Sequence, residues 1–446
     1  MASARSPDAV RIALLGLGSV GGSLARTLVD DTTAAEIELA AGARVELVGI
    51  AVRDIQAARL RSPAGLAELL TADPKGLVER EDVDIVVELI GGLSPARELI
   101  ETALRSGRAV VTGNKALLSR AGMELAQLAS TNGVDLLYEA AVASAIPVVR
   151  PLRESLSAER VSRVMGIVNG TTNFILSKMA EEGTTYSSAL EEAQSLGLAE
   201  ADPSADVEGW DAAAKTAILA SLAFRADVLA DDVHCEGITQ LTQTDVAHAA
   251  QLGHVIKPLA VAERVGEGPG ISVRVHPALV PLAHPLASVR GEFNAVFIEG
   301  DNAGEVMLYG RGAGGAPAAS AVLGDLIVAV RNRARGVSTP PAPRQTGVHV
   351  VAVSELSSAF YMSMEVVDRP GVLASVAAVM GRHGVSIRWM EQKGLGDEAR
   401  LVFLTHRAKE GAVAATVAEL AELDAVERIG AVLRVIEDHY PQGSGD

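Results

Sequence analysis

Ile12-Ala13-Leu14-Leu15-Gly16-Leu17-Gly18-Ser19-Val20-Gly21-Gly22 decides the fold of the first part of the chain. It fits G-x-G-x-x-G directly after an apolar strand and before a helix. Gly16 permits a tight turn, Gly18 lets the backbone approach a pyrophosphate, and Gly21 lets helix and strand pack closely. Leu17, Ser19 and Val20 complete the turn, whose helix N-terminus stabilises phosphate. Outward from this turn, short apolar runs at Val10–Leu15, Val45–Val52, Asp84–Leu89, Ala109–Thr112 and Asp135–Tyr138 alternate with helical segments such as Pro95–Ser106 and Lys115–Asn132. That alternation predicts an α/β, Rossmann-type parallel sheet over residues 1–141.

The second run ends at Val52-Arg53-Asp54. An acid there binds the adenosine ribose of NAD, whereas an arginine accepts the extra phosphate of NADP. Arg53 comes first, so NADP is expected, with NAD as the alternative and a solvated strand-end charge as the plain reading. Gly113-Asn114-Lys115 follows the fourth of these runs, where loops at the carboxyl ends of parallel strands form the ligand crevice. Lys115 is placed either to reach substrate or cofactor or simply to open a helix at the surface.

The pattern then changes. From Val142 to Arg311, helical stretches (Asn173–Glu182, Tyr186–Leu196, Trp210–Phe224) precede strand-like ones (Ile271–Val275, Ala295–Glu299, Glu305–Tyr309), which predicts an α+β catalytic and dimerisation domain over 142–311. A glycine-rich turn and the helix Ala318–Asn332 follow, and residues 312–335 are expected to pack back on the first domain. Residues 336–348, with Pro340, Pro341 and Pro343, read as a linker. Residues 349–440 run strand, helix, strand, strand, helix, strand, the ferredoxin-like βαββαβ order.

The helix Trp210–Phe224 carries only two charges, Asp211 and Lys215, four apart on one face. A helix apolar on nearly all sides is buried. Burying a carboxylate and an ammonium is costly, so this pair reads as chemistry rather than as a surface ion pair.

Composition limits the partners. The formal net charge of -17 argues against nucleic acid and anionic membrane. No apolar run is long enough to span a bilayer and no secretory signal precedes the first strand, so a cytoplasmic protein is expected. Cys235 is the only cysteine, which rules out a disulfide framework within one chain. His234, His248 and His254 lack a convincing metal-ligand spacing.

Taken in order, the fingerprint, Gly113-Asn114-Lys115, Val168-Asn169-Gly170-Thr171-Thr172-Asn173-Phe174, Leu198-Ala199-Glu200-Ala201-Asp202-Pro203 and Asp206–Lys215 resemble homoserine dehydrogenase over roughly residues 10 to 335. Asp368-Arg369-Pro370-Gly371-Val372-Leu373, between a strand and a helix, resembles an ACT regulatory domain. A monofunctional enzyme is expected, since no aspartate-kinase region precedes the fingerprint.

The resemblance implies reduction of aspartate semialdehyde to homoserine with a nicotinamide cofactor, in threonine, methionine and isoleucine biosynthesis. By resemblance Lys215 is the catalytic lysine and Glu200 and Asp211 bind substrate. Lys115 lies between cofactor and substrate, and Gly197 and Gly312 line the cofactor. Either lysine could give the proton; Lys215 is the expected donor. Tyr138–Pro147 resembles a monovalent-cation loop in which Glu139 and the backbone oxygens of Val142, Ser144 and Ile146 hold sodium. Asp368, Gly371, Val372 and Leu373, with Ser386 and Ile387 completing the pocket at a subunit interface, would bind an amino-acid effector, most plausibly threonine. A homo-oligomer, dimer or tetramer, is expected. Two other readings stay open: another Rossmann oxidoreductase of a small amino-acid semialdehyde, and a non-catalytic amino-acid or nucleotide sensor.

Overall fold

Six short parallel strands form the sheet around the fingerprint in the computed structural model, which describes residues 9–60, 64–339, 344–394 and 398–437. The expectations for Met1–Asp8, for Pro340, Pro341 and Pro343, and for 438–440 and the tail beyond lie outside those residues. The chain divides into two compact units. The first comprises residues 1–160, 217–230 and 308–346, and the second 161–216, 231–307 and 347–446.

In the first unit the strands are β1 (Val10–Leu15), β2 (Val45–Ala51), β3 (Leu70–Thr71), β4 (Ile85–Glu88), β5 (Ala109–Thr112) and β6 (Leu136–Leu137), in the order β3-β2-β1-β4-β5-β6. This is the doubly wound dinucleotide-binding order, whose crevice opens where the order reverses beside β1. Alternate residues of each strand serve opposite layers. Ile12, Leu14, Ile85 and Val87 face one core; Ala13, Leu15 and Val86 face the other, with Leu99, Ile100 and Leu104 of the helix Ala96–Arg105. The first core is completed from far along the chain, by Val322, Leu326 and Val330 of the helix Gly315–Arg335. Each such buried side chain contributes about 1.5–3 kcal/mol.

The second unit is built on one mixed sheet. β7 (Val161–Ile167), β8 (His234–Cys235), β9 (His254–Arg264), β10 (Gly270–Pro281) and β11 (Phe293–Gly300) belong to its first part, and β12 (Gly304–Arg311) carries the chain back towards the first unit. β7 pairs antiparallel with β9 and β11, and β9 with β10 over their full length. The later strands are β13 (His349–Val350), β14 (Ser357–Val367), β15 (Ile387–Gly394), β16 (Glu398–Thr405), β17 (Ala408–Lys409) and β18 (Val426–Val435). Of these, β14, β15, β16 and β18, with the helices Val372–Arg382 and Glu410–Ala421, form the βαββαβ fold.

This C-terminal fold is not set apart behind a linker. β18 lies parallel to β10 with Ala278 opposite Arg434 and Leu279 opposite Val435, so the sheet runs on without a break. Tyr361, Val402 and Leu433 share a core with Leu279, Ile256, Phe174 and Met179. The physical reason is that β10 continues to Pro281, well past the stretch Ile271–Val275 that reads as strand, and so offers an edge for pairing.

No helix among the described residues is long and apolar enough to cross a membrane.

Candidate active site

The fingerprint turn has no room for larger residues. Gly16 has φ +99°, and a Cβ there would lie 2.7 Å from Leu89 O; a Cβ on Gly21 would lie 2.1 Å from Gly16 O. Nothing lies within 4 Å of a Cβ on Gly18, which faces open space. That space is a cleft of about 690 Å³, lined by Gly16–Ser19, Arg26 and Ala51–Asp54. Its walls fit a dinucleotide: small, turned backbone for the pyrophosphate and a guanidinium rim for charge. The Asp54 carboxylate accepts from Ala57 N–H at 2.9 Å and so caps the helix Ile55–Arg59, while Arg53 is exposed. Arg26, a second guanidinium on the cleft, carries no motif and went unread in the sequence.

Glu88 was also unread. It is fully buried at the carboxyl end of β4, and its Oε1 accepts from Ile90 and Gly91 N–H at 2.8 and 2.9 Å. Thr112 Oγ1 donates to its other oxygen at 2.7 Å, which ties the ends of β4 and β5 together beneath the crevice. Beside them Asn114 caps the helix Lys115–Thr131 and donates to Gly92 O at 2.8 Å, which places Lys115 at the helix start, half-buried.

The acid-lysine helix spans Trp210–Phe224. Lys215 Nζ donates to Asp211 Oδ2 at 2.7 Å and to Val168 O at 2.6 Å, and the two side chains are only 10% and 9% exposed. An ammonium has three donors, so one remains for a reacting oxygen. Asn169 joins them from the helix Gly170–Glu182: its Oδ1 accepts from Thr172 N–H, and its Nδ2 donates to Asp206 Oδ1 at 2.6 Å and Asp211 Oδ2 at 2.9 Å. Asn169 and Asp206 belong to the quoted motifs but had been given no role; an N-cap asparagine followed by acids would have been the signal. Glu200 is exposed on the loop after the helix Tyr186–Ser195, and its side chain makes no hydrogen bond among the described residues. The structure therefore brings together Asn169, Asp206, Asp211 and Lys215 but does not bond Glu200 to them. Gly197 occupies a left-handed turn in the second unit, and Gly312 is buried in the first.

In the loop Tyr138–Pro147, the Glu139 carboxylate accepts from the N–H groups of Val148, Val149 and Arg150 at 2.6, 2.7 and 2.9 Å. The side chain is thus largely taken, and the Glu139 main-chain oxygen accepts from Val142 N–H at 3.4 Å. Ala143 and Ser144 have φ +54° and +52°, and the buried Ser144 hydroxyl has no partner. The carbonyls of Val142, Ser144 and Ile146 accept no backbone N–H in the described structure. Buried, turned-in oxygens of this kind suit a hard cation. Asp325 braces the loop, accepting from Glu139 N–H at 2.7 Å and Arg150 at 2.8 Å; burial pushes its carboxyl up to about 6.

In the C-terminal fold, Gly371 (φ +93°) opens the helix Val372–Arg382, and a cavity of about 330 Å³ lies over Asp368–Leu373 with Gln392 and Leu401. Ser386 and Ile387 are not part of it. Ile387 pairs with Thr405 and Gln392 with Leu401, so within one chain the two expected halves of the pocket sit towards opposite ends of β15.

Comparison with known proteins agrees with this geometry. The family profile "Homoserine dehydrogenase" matches residues 147–327, its "NAD binding domain" residues 16–139, and "ACT domain" residues 360–425. The homoserine dehydrogenase of Mycobacterium tuberculosis (strain ATCC 25618 / H37Rv) is 50% identical over 436 residues, 96% of this chain and 97% of that protein. The chain belongs to the homoserine dehydrogenase family. The Corynebacterium glutamicum homoserine dehydrogenase is 48% identical over 97% of this chain and 96% of that protein. Among solved structures, a homoserine dehydrogenase from Thiobacillus denitrificans superposes with a TM-score of 0.89 at 39% identity, covering 96% of this chain and 98% of that one. A hyperthermophilic archaeal homoserine dehydrogenase in complex with NADPH gives 0.62 at 29% identity, covering 75% and 100%. The protein is thus a homoserine dehydrogenase, an oxidoreductase that interconverts L-aspartate 4-semialdehyde and L-homoserine with a nicotinamide cofactor, and it carries an ACT domain.

Proposed function

We propose that Lys215 donates the proton in this reaction and that Asp211, with Glu200, receives the substrate ammonium. The carrying observation is the Lys215 ammonium, held at 2.7 Å from Asp211 and 2.6 Å from Val168 O with one donor uncommitted among the described residues. A bound reduced nicotinamide supplies the hydride. As the aldehyde oxygen gains negative charge, the third N–H of Lys215 stabilises it and passes its proton to it. Asp211, held by Asn169 and Lys215, then keeps the lysine aligned while it regains a proton from water. Lys115, at the start of its helix beside the nucleotide crevice, lies between cofactor and substrate.

Gly16–Gly21 hold the pyrophosphate, Gly197 and Gly312 line the bound nucleotide, and NADP is the preferred form. Asp54 is occupied in capping a helix, which leaves Arg53 and Arg26 to meet a ribose phosphate. Glu139 and the main-chain oxygens of Val142, Ser144 and Ile146 hold sodium. The ACT domain binds threonine through Asp368–Leu373, where the amides opening an 11-residue helix favour a carboxylate; Ser386 and Ile387 enter that pocket from a second subunit of a dimer in the cytoplasm. NADPH oxidation with aspartate semialdehyde, run for wild type and Lys215→Ala, tests the reading. Near-normal turnover in the variant removes Lys215 from the mechanism.

A further inference from the structure

One arginine of the C-terminal fold reaches into the first part of its sheet. Arg434 on β18 is 5% exposed. Its guanidinium binds Glu410 at 2.8 and 2.5 Å and Glu236 at 2.9 and 2.9 Å. Glu410 opens the helix Glu410–Ala421 of the ACT-type fold, whereas Glu236 follows β8, far from it in sequence. Burial works to raise the Glu236 carboxyl, but hydrogen bonds from His234 and Arg434 hold it well below the ordinary range. A buried ion cluster gains little stability over an apolar one of the same shape, so its presence calls for another account.

The segment around Glu236 is pressed against the turn that opens the acid-lysine helix. Ile238 N–H donates to Val207 O at 2.9 Å, and Cys235 S–H donates to Glu208 O at 3.4 Å. There is no slack between them. A Cβ on Gly237 would lie 2.5 Å from Val207 O, and one on Gly209 (φ +89°) would lie 2.9 Å from Cys235 Sγ. From the same turn, Asp206 is held by Asn169 and Gly209 O accepts the helix bond from Ala213 at 2.8 Å. Asp211 and Lys215 follow directly.

We propose that Arg434 is a positioning residue for the reaction: through Glu236 it fixes segment 235–238, hence the turn 206–209, and hence the Asp211–Lys215 pair. The proposal rests on the roles given above to Asp211 and Lys215. It makes the C-terminal fold part of the substrate site's support rather than an appendage, and gives an effector bound there a physical route to the pair.

The test uses the full-length enzyme and its single cysteine. Glu236→Gln is isosteric and keeps the packing while weakening the link. A second variant, Arg434→Met with Glu236→Met and Glu410→Gln, removes the arginine and both carboxylates together, which spares the fold an unpaired buried ion. The expected result for both is a homoserine KM raised about tenfold, the scale of a small misplacement, with the KM for NADPH unchanged. Cys235 should react several-fold faster with a thiol-specific chromogenic disulfide, and Arg434→Lys should fall between wild type and the triple variant. Folded variants with wild-type homoserine KM and wild-type Cys235 reactivity overturn the proposal, as does failure of Glu236→Gln to fold, which assigns the pair a purely structural role. Should Lys215→Ala keep its turnover, the roles of the pair fail, but faster Cys235 reaction would still show the link between Arg434 and the turn.

Discussion

Asn169 Nδ2 stands 2.9 Å from Asp211 Oδ2, the same oxygen that Lys215 reaches at 2.7 Å. One carboxylate oxygen thus receives a neutral donor and a cation, and the asparagine's other N–H goes to Asp206 at 2.6 Å. The amide separates two acids that would otherwise repel, and it leaves the lysine bound to only one of them.

For Lys215→Ala, turnover should fall about a hundredfold or more, the usual scale for a positioned proton donor. Asp211 keeps its bond to Asn169 but is left buried without its cation, so a lowered melting temperature is expected as well. Steady-state kinetics alongside a thermal melt check both halves.

Asn169→Ala removes a helix cap as well as the bridge between acids. A loss of about 1–2 kcal/mol in stability is expected, with homoserine KM raised about tenfold. Asn169→Ser keeps a capping oxygen but loses the bridging amide. It should restore the stability and not the KM; recovery of both would mean that only the cap matters.

Cofactor choice should follow Arg53. Arg53→Ala is expected to raise the KM for NADPH by about tenfold, the loss of roughly one charge-assisted contact, and to leave that for NADH nearly unchanged. Equal effects on the two, or a wild-type preference for NADH, would falsify the assignment and point to Asp54.

Acid stability should depend on Glu365. Hydrogen bonds from Arg428 and Arg400 hold its carboxyl down to about 2. A folded-state value below the unfolded one means that its contribution is complete above the ordinary carboxylate range and is lost as pH falls through about 2. Glu365→Gln should therefore cost about 1–3 kcal/mol at neutral pH and flatten the stability curve between roughly pH 4.5 and 2. Urea titrations across that range read it out.

Truncation after Arg335 should harm the enzyme rather than merely deregulate it. It strips Tyr361, Val402 and Leu433 from the core that covers Leu279 and Ile256. Each side chain exposed costs about 1.5–3 kcal/mol. Low solubility and a lowered melting temperature are expected; a soluble, fully active fragment would contradict the shared core. Effector binding is better probed by Asp368→Ala in the whole chain.

The parts legible in the sequence are those with local signals. The glycines at 16, 18 and 21 and the alternating runs around them lead to the six-stranded sheet, and Trp210–Phe224 is readable end to end because nearly all its faces are apolar. The βαββαβ order is likewise local. β9 was not legible: Lys257 and Pro258 interrupt its apolar pattern, although Lys257 is buried there and bonds Asn173 and Val289 O. The helix after Val168 begins at Gly170 rather than Asn173, because Asn169 caps it. Nothing local announces that Arg434 will meet Glu236, or that Asp325, on the helix Gly315–Arg335, will be buried under Glu139. Such partners are chosen by the tertiary fold, and one sequence shows only one side of each.

The helix Gly315–Arg335 fills the core beneath β1, and a Cβ on its Gly315 would lie 3.0 Å from Ser19 O. On the ribosome this has an order of events attached. The fingerprint emerges early, but the layer that seals its sheet is made only after the whole intervening stretch, on the order of 15 to 60 seconds later at typical synthesis rates. Until then Ile12, Leu14 and Val87 have an open side, so the nascent nucleotide unit exposes apolar surface of the kind that favours aggregation.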